Sequence, residues 1–351
     1  MSSVVVVVGA GIVGASVAYH LACTGVPVTL LEQSPAPAAG VTGNSFAWIG
    51  DSSGDWPGGA RDLRPDVRAD YLRLEAELPE FAVRWTGSLS WTTASATGAT
   101  SLTLHEGQTM VATDEIALLE PHLLNPPAQA VHTPTDGGVD PAAMADALIR
   151  GACAHGAKVV YGASVISVNP PEGRGVSTSA GFHPAAIVVL AAGASTVALC
   201  RQLHVELPIE ASPACLLRVA APPGLIKTIV AGPHFEVREV RDGELLLTMP
   251  YLDGGPEPSV AQDARRTLRR LASSLDDGAA CRLLSHHVSG RPMPADGPIV
   301  GYVTPDQSVY VAVTHSAITL APTLGRLIAE ELTTGRPVEE LCHCRPRGLT
   351  R

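Results

Sequence analysis

The sequence predicts an α/β fold with α+β character: a Rossmann-like parallel-sheet domain and an inserted antiparallel-sheet domain. A fully apolar run, Val4–Val8, precedes the glycine-rich stretch Gly9–Gly14, as at the start of a parallel sheet. Apolar, strand-like runs return late in the chain, at Ile187–Ala192 and Val309–Val313. Between them, residues 205–250 contain the alternating pattern and turn signals of antiparallel strands.

The start of the chain has the most regular pattern. The Ala-rich segment Ala15–Cys23 predicts a helix that ends near Gly25. The apolar run Pro27–Leu31 then predicts a second strand, which ends at Glu32. This order of strand, glycine-rich turn, helix and strand is the opening unit of a parallel sheet.

Other segments predict the remaining elements. Asp140–His155 has a helical pattern with Pro141 at the first position, where proline is favoured because its missing N–H is not needed. Val159–Val160 and Val165–Val168 predict short strands.

The second half of the chain predicts a hairpin and two helices. His234–Val240 and Leu245–Leu247 are strand-like, and Asp242-Gly243 between them is a hairpin turn signal. Gln262–Leu275 predicts an amphipathic helix whose four arginines form a solvated face. Thr319–Leu332 predicts the last helix.

These elements predict two discontinuous domains. We expect a cofactor-binding domain assembled from residues 1–50, 137–200 and 289–351. We expect a substrate-binding domain assembled from residues 51–136 and 201–288.

The composition excludes several classes of protein. With 351 residues and a formal net charge of −10, the chain lacks the basic face that a nucleic-acid partner requires. No run of about 18 apolar residues occurs, so we expect no membrane span. Seven cysteines and no secretory signal predict a reducing, cytoplasmic location. Cys342-His343-Cys344 lacks a second ligand pair at zinc spacing, so we expect no metal site.

The glycine-rich turn has the spacing of a dinucleotide fingerprint. Gly9 allows the tight turn, Gly11 lets the backbone approach a pyrophosphate, and Gly14 lets helix and strand pack closely. Glu32 lies 18 residues beyond Gly14, where a carboxylate accepts ribose hydroxyls. The fingerprint predicts dinucleotide binding but does not distinguish NAD from FAD.

Later segments favour a flavin dinucleotide, which stays bound and is wrapped by the chain. Gly40–Ser45 supplies small residues and backbone donors soon after the second strand. Val188–Gly193 ends a strand with small residues that can pass beneath a cofactor. Ser289–Pro292 and Asp296–Gly301 precede a final strand, loop and helix at residues 310–322.

In this order, the segments resemble the glycine oxidase/D-amino acid oxidase (DAO) family of FAD-dependent amine oxidoreductases. The shared features are the Gly9–Gly14 fingerprint, Gly-Gly-Val-Asp-Pro at 137–141, Leu-Ala-Ala-Gly at 190–193, Gly-Arg-Pro at 290–292 and the helix after His315. The resemblance spans almost the whole chain. It is weak in the two segments predicted to select the substrate.

The resemblance implies a reaction on a small amine or amino acid. A carbon beside nitrogen gives a hydride to the flavin N5, the imine product hydrolyses, and O2 or another acceptor reoxidises the flavin. Ile318, Thr319 and Leu320 would direct helix N–H groups at the flavin N1–C2=O edge. With the fingerprint, the expected FAD contacts are Gly9, Gly11, Ile12, Val13, Gly14, Glu32, Gln33, Gly43, Asn44, Ser45, Val165, Ala192, Gly193, Ile318, Thr319 and Leu320.

The resemblance also indicates catalytic and substrate-binding residues. Arg291 would hold a substrate carboxylate, because a guanidinium grips it bidentately; pairing with a core acid or contact with the flavin is the other interpretation. His315 is a candidate catalytic group with a structural role as its alternative. Glu236 and Arg238 share a strand face that is either the pocket floor or a wet outer face. Trp48 either caps the pocket or belongs to the core.

Several departures from the family pattern leave questions open. Ala317 stands where relatives commonly have glycine, in a loop that looks two residues shorter. Met293 and Pro294 follow the Arg-Pro element where some relatives attach flavin through cysteine, so we expect noncovalent FAD. Neither lysine matches the one that assists reaction with oxygen in those relatives, so oxidase and dehydrogenase both stay open.

Other functions are compatible with the fingerprint. An NAD(P)H-dependent flavin monooxygenase usually carries Gly-Asp-Ala-Ala-His near its end, where this chain has Val-Thr-His-Ser-Ala. A nicotinamide dehydrogenase does not account for the flavin-type segments. Nothing in the sequence excludes a flavin-carrying subunit that is active only within a complex. The sequence specifies neither the substrate, its D or L configuration, nor the oligomeric state.

Overall fold

The structure is a computed structural model that describes residues 4–50, 56–93, 104–249 and 257–347. Within them, the helices are α1 Ile12–Cys23, α2 Ala60–Leu63, α3 Val67–Glu77, α4 Thr113–Leu119, α5 Pro141–Ala154, α6 Thr196–Arg201, α7 Glu257–Ser273 and α8 Ala317–Thr334. The strands are β1 Val5–Val8, β2 Val28–Glu32, β3 Trp48–Ile49, β4 Val83–Arg84, β5 Ser88–Ser90, β6 Thr109–Ala112, β7 Gln129–Thr133, β8 Gly137–Val139, β9 Lys158–Tyr161, β10 Val165–Val168, β11 Gly175–Thr178, β12 Gly181–Pro184, β13 Ile187–Leu190, β14 Ile209–Ala220, β15 Ile229–Ala231, β16 Glu236–Arg241, β17 Glu244–Met249, β18 Arg282–Pro294, β19 Ile299–Tyr302 and β20 Val309–Val313.

A six-stranded, mostly parallel sheet forms the Rossmann-like part of the fold. Its strand order is β19-β20-β13-β1-β2-β9, and all pairs are parallel except β19 with β20. β1, β13 and β20 are almost entirely apolar because helices and loops cover both faces of the sheet. The predicted α/β fold is confirmed.

An eight-stranded sheet forms the other large layer, in the order β18-β14-β17-β16-β15-β5-β7-β6. Its pairs are antiparallel, as predicted, except that β15 pairs with β5 in parallel. β5 and β15 are far apart in the sequence and are not joined by a hairpin turn, so no turn requires them to be antiparallel. The remaining strands form two three-stranded sheets, β3-β8-β4 and β10-β11-β12.

Helix α1 packs so closely against its neighbours on two sides that only glycine fits at the contacts. A Cβ at Gly14 would lie 1.9 Å from the carbonyl oxygen of Gly9, so only glycine lets the helix sit on the turn. On the other side, a Cβ at Gly325 of α8 would lie 2.2 Å from the Ser16 hydroxyl oxygen. That hydroxyl donates to the Ala321 carbonyl at 2.7 Å, so α1 and α8 are joined where their backbones approach.

Helix α8 contains a proline near its start. Pro322 has no N–H to donate to the Ile318 carbonyl four residues earlier. The hydroxyl of the fully buried Tyr71, on α3, donates to that carbonyl at 2.5 Å instead. The proline is therefore accommodated without an unsatisfied buried acceptor.

No helix in the described part of the chain is long and apolar enough to cross a membrane.

The buried His20 of α1 predicts a pH-dependent stability. Its Nδ1–H donates to the Ser16 carbonyl at 2.8 Å, and its Nε2 accepts from Arg73 at 2.8 Å, so the ring is held neutral. Burial lowers its pKa to about 4, while Asp70 and Glu77 nearby oppose the shift. Between pH 6.5 and 4 the unfolded chain binds a proton that the folded chain does not, so stability falls as the pH falls.

We expect the loss of unfolding free energy that His20 causes to reach about 3 kcal/mol between pH 6.5 and 4, at about 1.4 kcal/mol per pH unit. Urea unfolding of the parent chain and of His20→Gln at pH 7 and pH 5 measures the part of this loss above pH 5, about 2 kcal/mol. The variant should lose less stability than the parent on acidification. Equal losses in both proteins would show that His20 does not titrate in this window.

Gly14→Ala should destabilise the protein, because its methyl group overlaps the Gly9 carbonyl oxygen and forces α1 off the turn. We expect a loss of about 1–3 kcal/mol in thermal or urea unfolding. Gly290→Ala is the matched control, since its Cβ would meet only the Ala211 Cβ at an ordinary 3.4 Å. Equal effects of the two substitutions would contradict the packing role of Gly14.

Candidate functional site

Two neighbouring cavities lie beside the carboxyl ends of the parallel strands. The Glu32 cavity, of about 460 Å³, is lined by the glycine-rich turn, Glu32 and the end of β13. The Arg291 cavity, of about 550 Å³, is lined by residues 44–48, the start of α8 and the face of the eight-stranded sheet. They share the wall residues Ile12, Val41, Thr42, Pro292, Thr314 and Ala317. The two cavities are therefore parts of one continuous groove.

Glu32 is fixed at one end of the groove by two backbone donors. The Ala10 N–H donates to its Oε2 at 2.7 Å, and the Ser34 N–H donates to its Oε1 at 2.9 Å. Each carboxylate oxygen keeps lone-pair capacity for a further donor. Glu32 thus links the turn to the end of β2 and still lines the cavity.

The N-terminus of α1 faces the same cavity. Gly11 is its N-cap and provides no side-chain hydrogen bond, so the first-turn N–H groups lack intrahelical acceptors. The Ile12 N–H donates to the Thr42 hydroxyl at 3.1 Å. Sequence reasoning missed Thr42; its position within Gly40–Ser45 was the available signal.

Most residues predicted to contact the cofactor lie on the groove wall. Those lining the Glu32 cavity are Gly9, Gly11, Ile12, Val13, Glu32, Gln33, Val165, Ala192 and Gly193. Those lining the Arg291 cavity are Ile12, Asn44, Ser45, Ile318 and Thr319.

Three predicted contacts lie off the wall. Gly14 packs on the turn, and Leu320 is fully buried in the core. Gly43 packs against Ala38, whose carbonyl oxygen would lie 2.4 Å from an added Cβ.

The groove fits an extended dinucleotide. Gly9 and Gly11 line the Glu32 cavity without side chains, and the α1 N-terminus offers N–H donors with positive dipole character to phosphates. The carboxylate of Glu32 suits ribose hydroxyls. The continuous Arg291 cavity leaves room for a second ring system beyond the phosphates.

Arg291, on β18, lines the Arg291 cavity beside the shared wall residue Pro292. Its Nη2 donates to the Ser212 hydroxyl on β14 at 3.4 Å, a long hydrogen bond. His315 lines the same cavity. Partial burial lowers the pKa of His315, and the positive charges of Arg291 and Arg64 lower it further. The imidazole is therefore neutral at neutral pH.

A strained turn forms another part of the wall. Ala47 is buried and has a φ of +56°, a left-handed conformation that is uncommon for a residue with a Cβ. The adjoining Trp48 carbonyl accepts from the Thr319 hydroxyl on α8 at 3.0 Å. The Trp48 ring N–H donates to Asp136 at 2.9 Å, so Trp48 lines the cavity from a fixed position.

Arg238 lies behind this wall and does not line the cavity. It is 2% exposed, and its guanidinium donates to the carbonyls of Phe46 and Val139, both at 2.6 Å. Arg218, two strands away on β14, donates to the Gly43 carbonyl at 3.1 Å. The sequence places Arg238 in contact with substrate, whereas in the structure the guanidinium is directed at main-chain carbonyls of the wall segment.

Glu236, on the same face of β16, does line the Arg291 cavity. Its backbone N–H donates to the Thr248 hydroxyl at 3.1 Å, and that hydroxyl donates to its carboxylate at 3.5 Å. Burial raises the pKa of Glu236, while Thr248 and the charge of Arg291 oppose the shift. Glu236 thus meets Arg291 in one cavity.

The C-terminal Cys342-His343-Cys344 segment lies away from the groove. Cys344 is buried, and the Nδ1 of His343 lies 2.6 Å from a carboxylate oxygen of Asp62. Over the described ranges, no cluster of three or more His, Cys, Asp or Glu side chains is arranged to hold a metal ion.

Comparisons with known proteins agree with this architecture. Glycine oxidase from Bacillus licheniformis is 26% identical over 357 aligned residues, which cover 95% of this chain and 94% of that protein. The structure of glycine oxidase from Geobacillus kaustophilus matches with a TM-score of 0.84 and 21% identity, covering 99% of both chains. Iminodiacetate oxidase from Chelativorans sp. BNC1 matches with a TM-score of 0.81 and 20% identity, covering 99% of this chain and all of that one (100%).

A family model covers nearly the whole chain. The model described as DAO, FAD dependent oxidoreductase, matches residues 5–331. The resemblance noted from the sequence motifs is confirmed, and with it the FAD cofactor. The chain belongs to the DAO family of FAD dependent oxidoreductases.

Proposed function

We propose that the protein oxidises the C–N bond of a small amino acid to an imine, which water then hydrolyses. The observation that carries this proposal is Arg291, a guanidinium on the wall of a cavity continuous with the dinucleotide groove. The names of the glycine oxidase and iminodiacetate oxidase relatives support an amino-acid substrate. When bound, FAD would accept the hydride that leaves the substrate carbon, and with it both electrons of the oxidation.

Arg291 binds and orients the substrate in this proposal. Its fork of N–H donors suits a carboxylate, and its long bond to Ser212 leaves donors available. A carboxylate held there fixes the adjacent amine-bearing carbon relative to the cofactor end of the cavity. Trp48 limits the space from the opposite wall segment.

The start of α8 supports the cofactor in this proposal. Ile318 and Thr319 lie on the cavity wall, in the first turn, where N–H groups lack intrahelical acceptors. These donors and the positive end of the helix dipole favour negative charge in front of them. The Tyr71 hydroxyl and the Thr319 hydroxyl fix this turn in place.

His315 holds or accepts a proton in this proposal. Its lowered pKa keeps the imidazole neutral, so a ring nitrogen can accept the proton that an ammonium substrate releases before oxidation. The substrate amine then carries the free electron pair that becomes part of the imine bond.

We also propose that FAD is held without a covalent bond. In the described part of the chain, Cys215 lies on the Arg291 cavity wall. Burial raises the pKa of its thiol to about 11, so the nucleophilic thiolate is scarce at neutral pH. Acid precipitation should release the yellow cofactor into the supernatant.

Anaerobic titration of the purified yellow protein with single amino acids and amines tests the proposed reaction. Bleaching of the flavin absorbance by an amino acid, with release of ammonia or an amine, is expected. Reoxidation is then followed after adding O2 or a quinone, which identifies the acceptor. Bleaching by NAD(P)H alone would favour the monooxygenase, and no bleaching by any compound would favour a subunit that requires a partner.

Arg291→Met should lower kcat/KM for amino acids by about 30-fold to about 4,000-fold, since losing a charged hydrogen-bonded pair costs about 2–5 kcal/mol. The flavin spectrum should stay unchanged. Arg291→Lys should restore only part of the activity, because an ammonium lacks the planar fork. Arg201→Met, at an exposed ion pair outside the groove, is the control. Parent-like kinetics in Arg291→Met would rule out the carboxylate role.

A further inference from the structure

Glu236 and Arg291 lie on one face of the eight-stranded sheet, at separate positions. Arg291 on β18 is opposite Ser212 on β14. The register between β16 and β17 places Glu236 opposite Thr248. Thr248 in turn pairs with Leu216 on β14, and Leu216 lies four residues along that strand from Ser212. In a flat sheet the two backbones would be roughly 14 Å apart across the strands and roughly 13 Å apart along them.

Arg291 and Glu236 do not form an ion pair with each other. Within the cavity, no nitrogen of Arg291 lies within 4.0 Å of the Glu236 carboxylate. Arg291 has a 3.4 Å hydrogen bond to Ser212, and the Glu236 carboxylate has a 3.5 Å hydrogen bond from Thr248. Both bonds are long, so each charged group keeps most of its capacity for a ligand.

The surroundings of Glu236 make this arrangement costly without a ligand. Its side chain is half-buried, on a cavity wall that also includes the apolar side chains of Phe235, Met249 and Leu216. A carboxylate among apolar groups is unfavourable unless a donor or a cation satisfies it. A cationic ligand group placed there would remove that cost.

Glu236 also lies away from the cofactor end of the groove. The wall residues that both cavities share include Pro292, which directly follows Arg291. Glu236 lines only the Arg291 cavity, from a strand three positions away from β18 in the sheet. A substrate whose carboxylate is on Arg291 would therefore meet Glu236 with its distal end.

We propose that Glu236 binds a second, cationic group of the substrate, so that the enzyme selects amino acids with a basic nitrogen distal to the reacting amine. This inference rests on the proposed function of Arg291. The same carboxylate repels a distal carboxylate, so dicarboxylates are disfavoured. A substrate with an uncharged side chain is neither attracted nor repelled by the Glu236 carboxylate.

Ornithine, norvaline and glutamate, each as D and L isomers, test the selectivity by anaerobic flavin reduction. They share a five-carbon backbone and differ in the distal group. We expect the second-order rate constant of flavin reduction to fall from ornithine to norvaline to glutamate, with ornithine favoured over norvaline by about 30-fold. Equal values, or a preference for glutamate, would overturn the proposal.

The variant Glu236→Gln keeps the size of the side chain and removes its charge. It should abolish most of the ornithine preference while changing norvaline less than about 3-fold. Glu236→Lys should reverse the order and favour glutamate. Glu206→Gln, at an exposed ion pair with Arg201, is the control and should leave the order unchanged. An undiminished ornithine preference in Glu236→Gln would overturn the assignment.

Equilibrium binding separates this inference from the proposed reaction. The probes are 5-aminopentanoate, pentanoate and glutarate, which lack the α-amine, and the readout is the perturbation of the flavin visible spectrum. We expect 5-aminopentanoate to bind about 30-fold more tightly than pentanoate, and glutarate to bind most weakly. If this order holds while no amino acid bleaches the flavin, the reaction is wrong and the Glu236 site stands. If amino acids bleach the flavin and the three acids bind equally, the reaction stands and the Glu236 site is wrong.

Discussion

The close approach of α1 to its two neighbours is the constraint on which the site depends. Gly14 brings α1 onto the turn after β1, and Gly325 brings α8 onto α1 at the Ser16 hydroxyl. The beginnings of α1 and α8 consequently reach the same groove, where Ile12 and Ala317 form part of the wall shared by both cavities. One packing arrangement thus places the N-termini of two helices, with their N–H donors, along a single groove.

A second connection joins the large antiparallel sheet to the wall of the groove. Arg218 and Arg238 donate to the carbonyls of Gly43 and Phe46, on either side of Asn44 and Ser45. Arg238 is buried, and none of the described carboxylates lies within 4.0 Å of its guanidinium. Burial lowers its pKa to about 9, so it still carries its charge at neutral pH. Main-chain carbonyls accept from two of its nitrogens, Nε and Nη2, and are in turn fixed by them.

The sheet face that holds the wall also contributes a carboxylate to the Arg291 cavity. Arg238 and Glu236 are two residues apart on β16, so both side chains point to the same side. Arg238, which is nearer to the β16–β17 hairpin, donates to the Phe46 carbonyl of the wall segment. Glu236 lines the Arg291 cavity. Lining of the Arg291 cavity and support of the wall segment are therefore carried by two positions on one face of β16.

The sequence by itself determined the elements whose signals are local. The glycine spacing at Gly9–Gly14, the apolar strands and the Asp140 cap with Pro141 depend on residues close in the chain, and the structure contains each of them. The motif order also identified the family and its cofactor. Only the tertiary structure decided that Thr42 caps α1, that Arg238 supports the wall and that Glu236 opens into the cavity with Arg291. The bonds of Arg218 and Arg238 join positions 175 and 192 residues apart, and such partners depend on strand order and register, which no local pattern encodes.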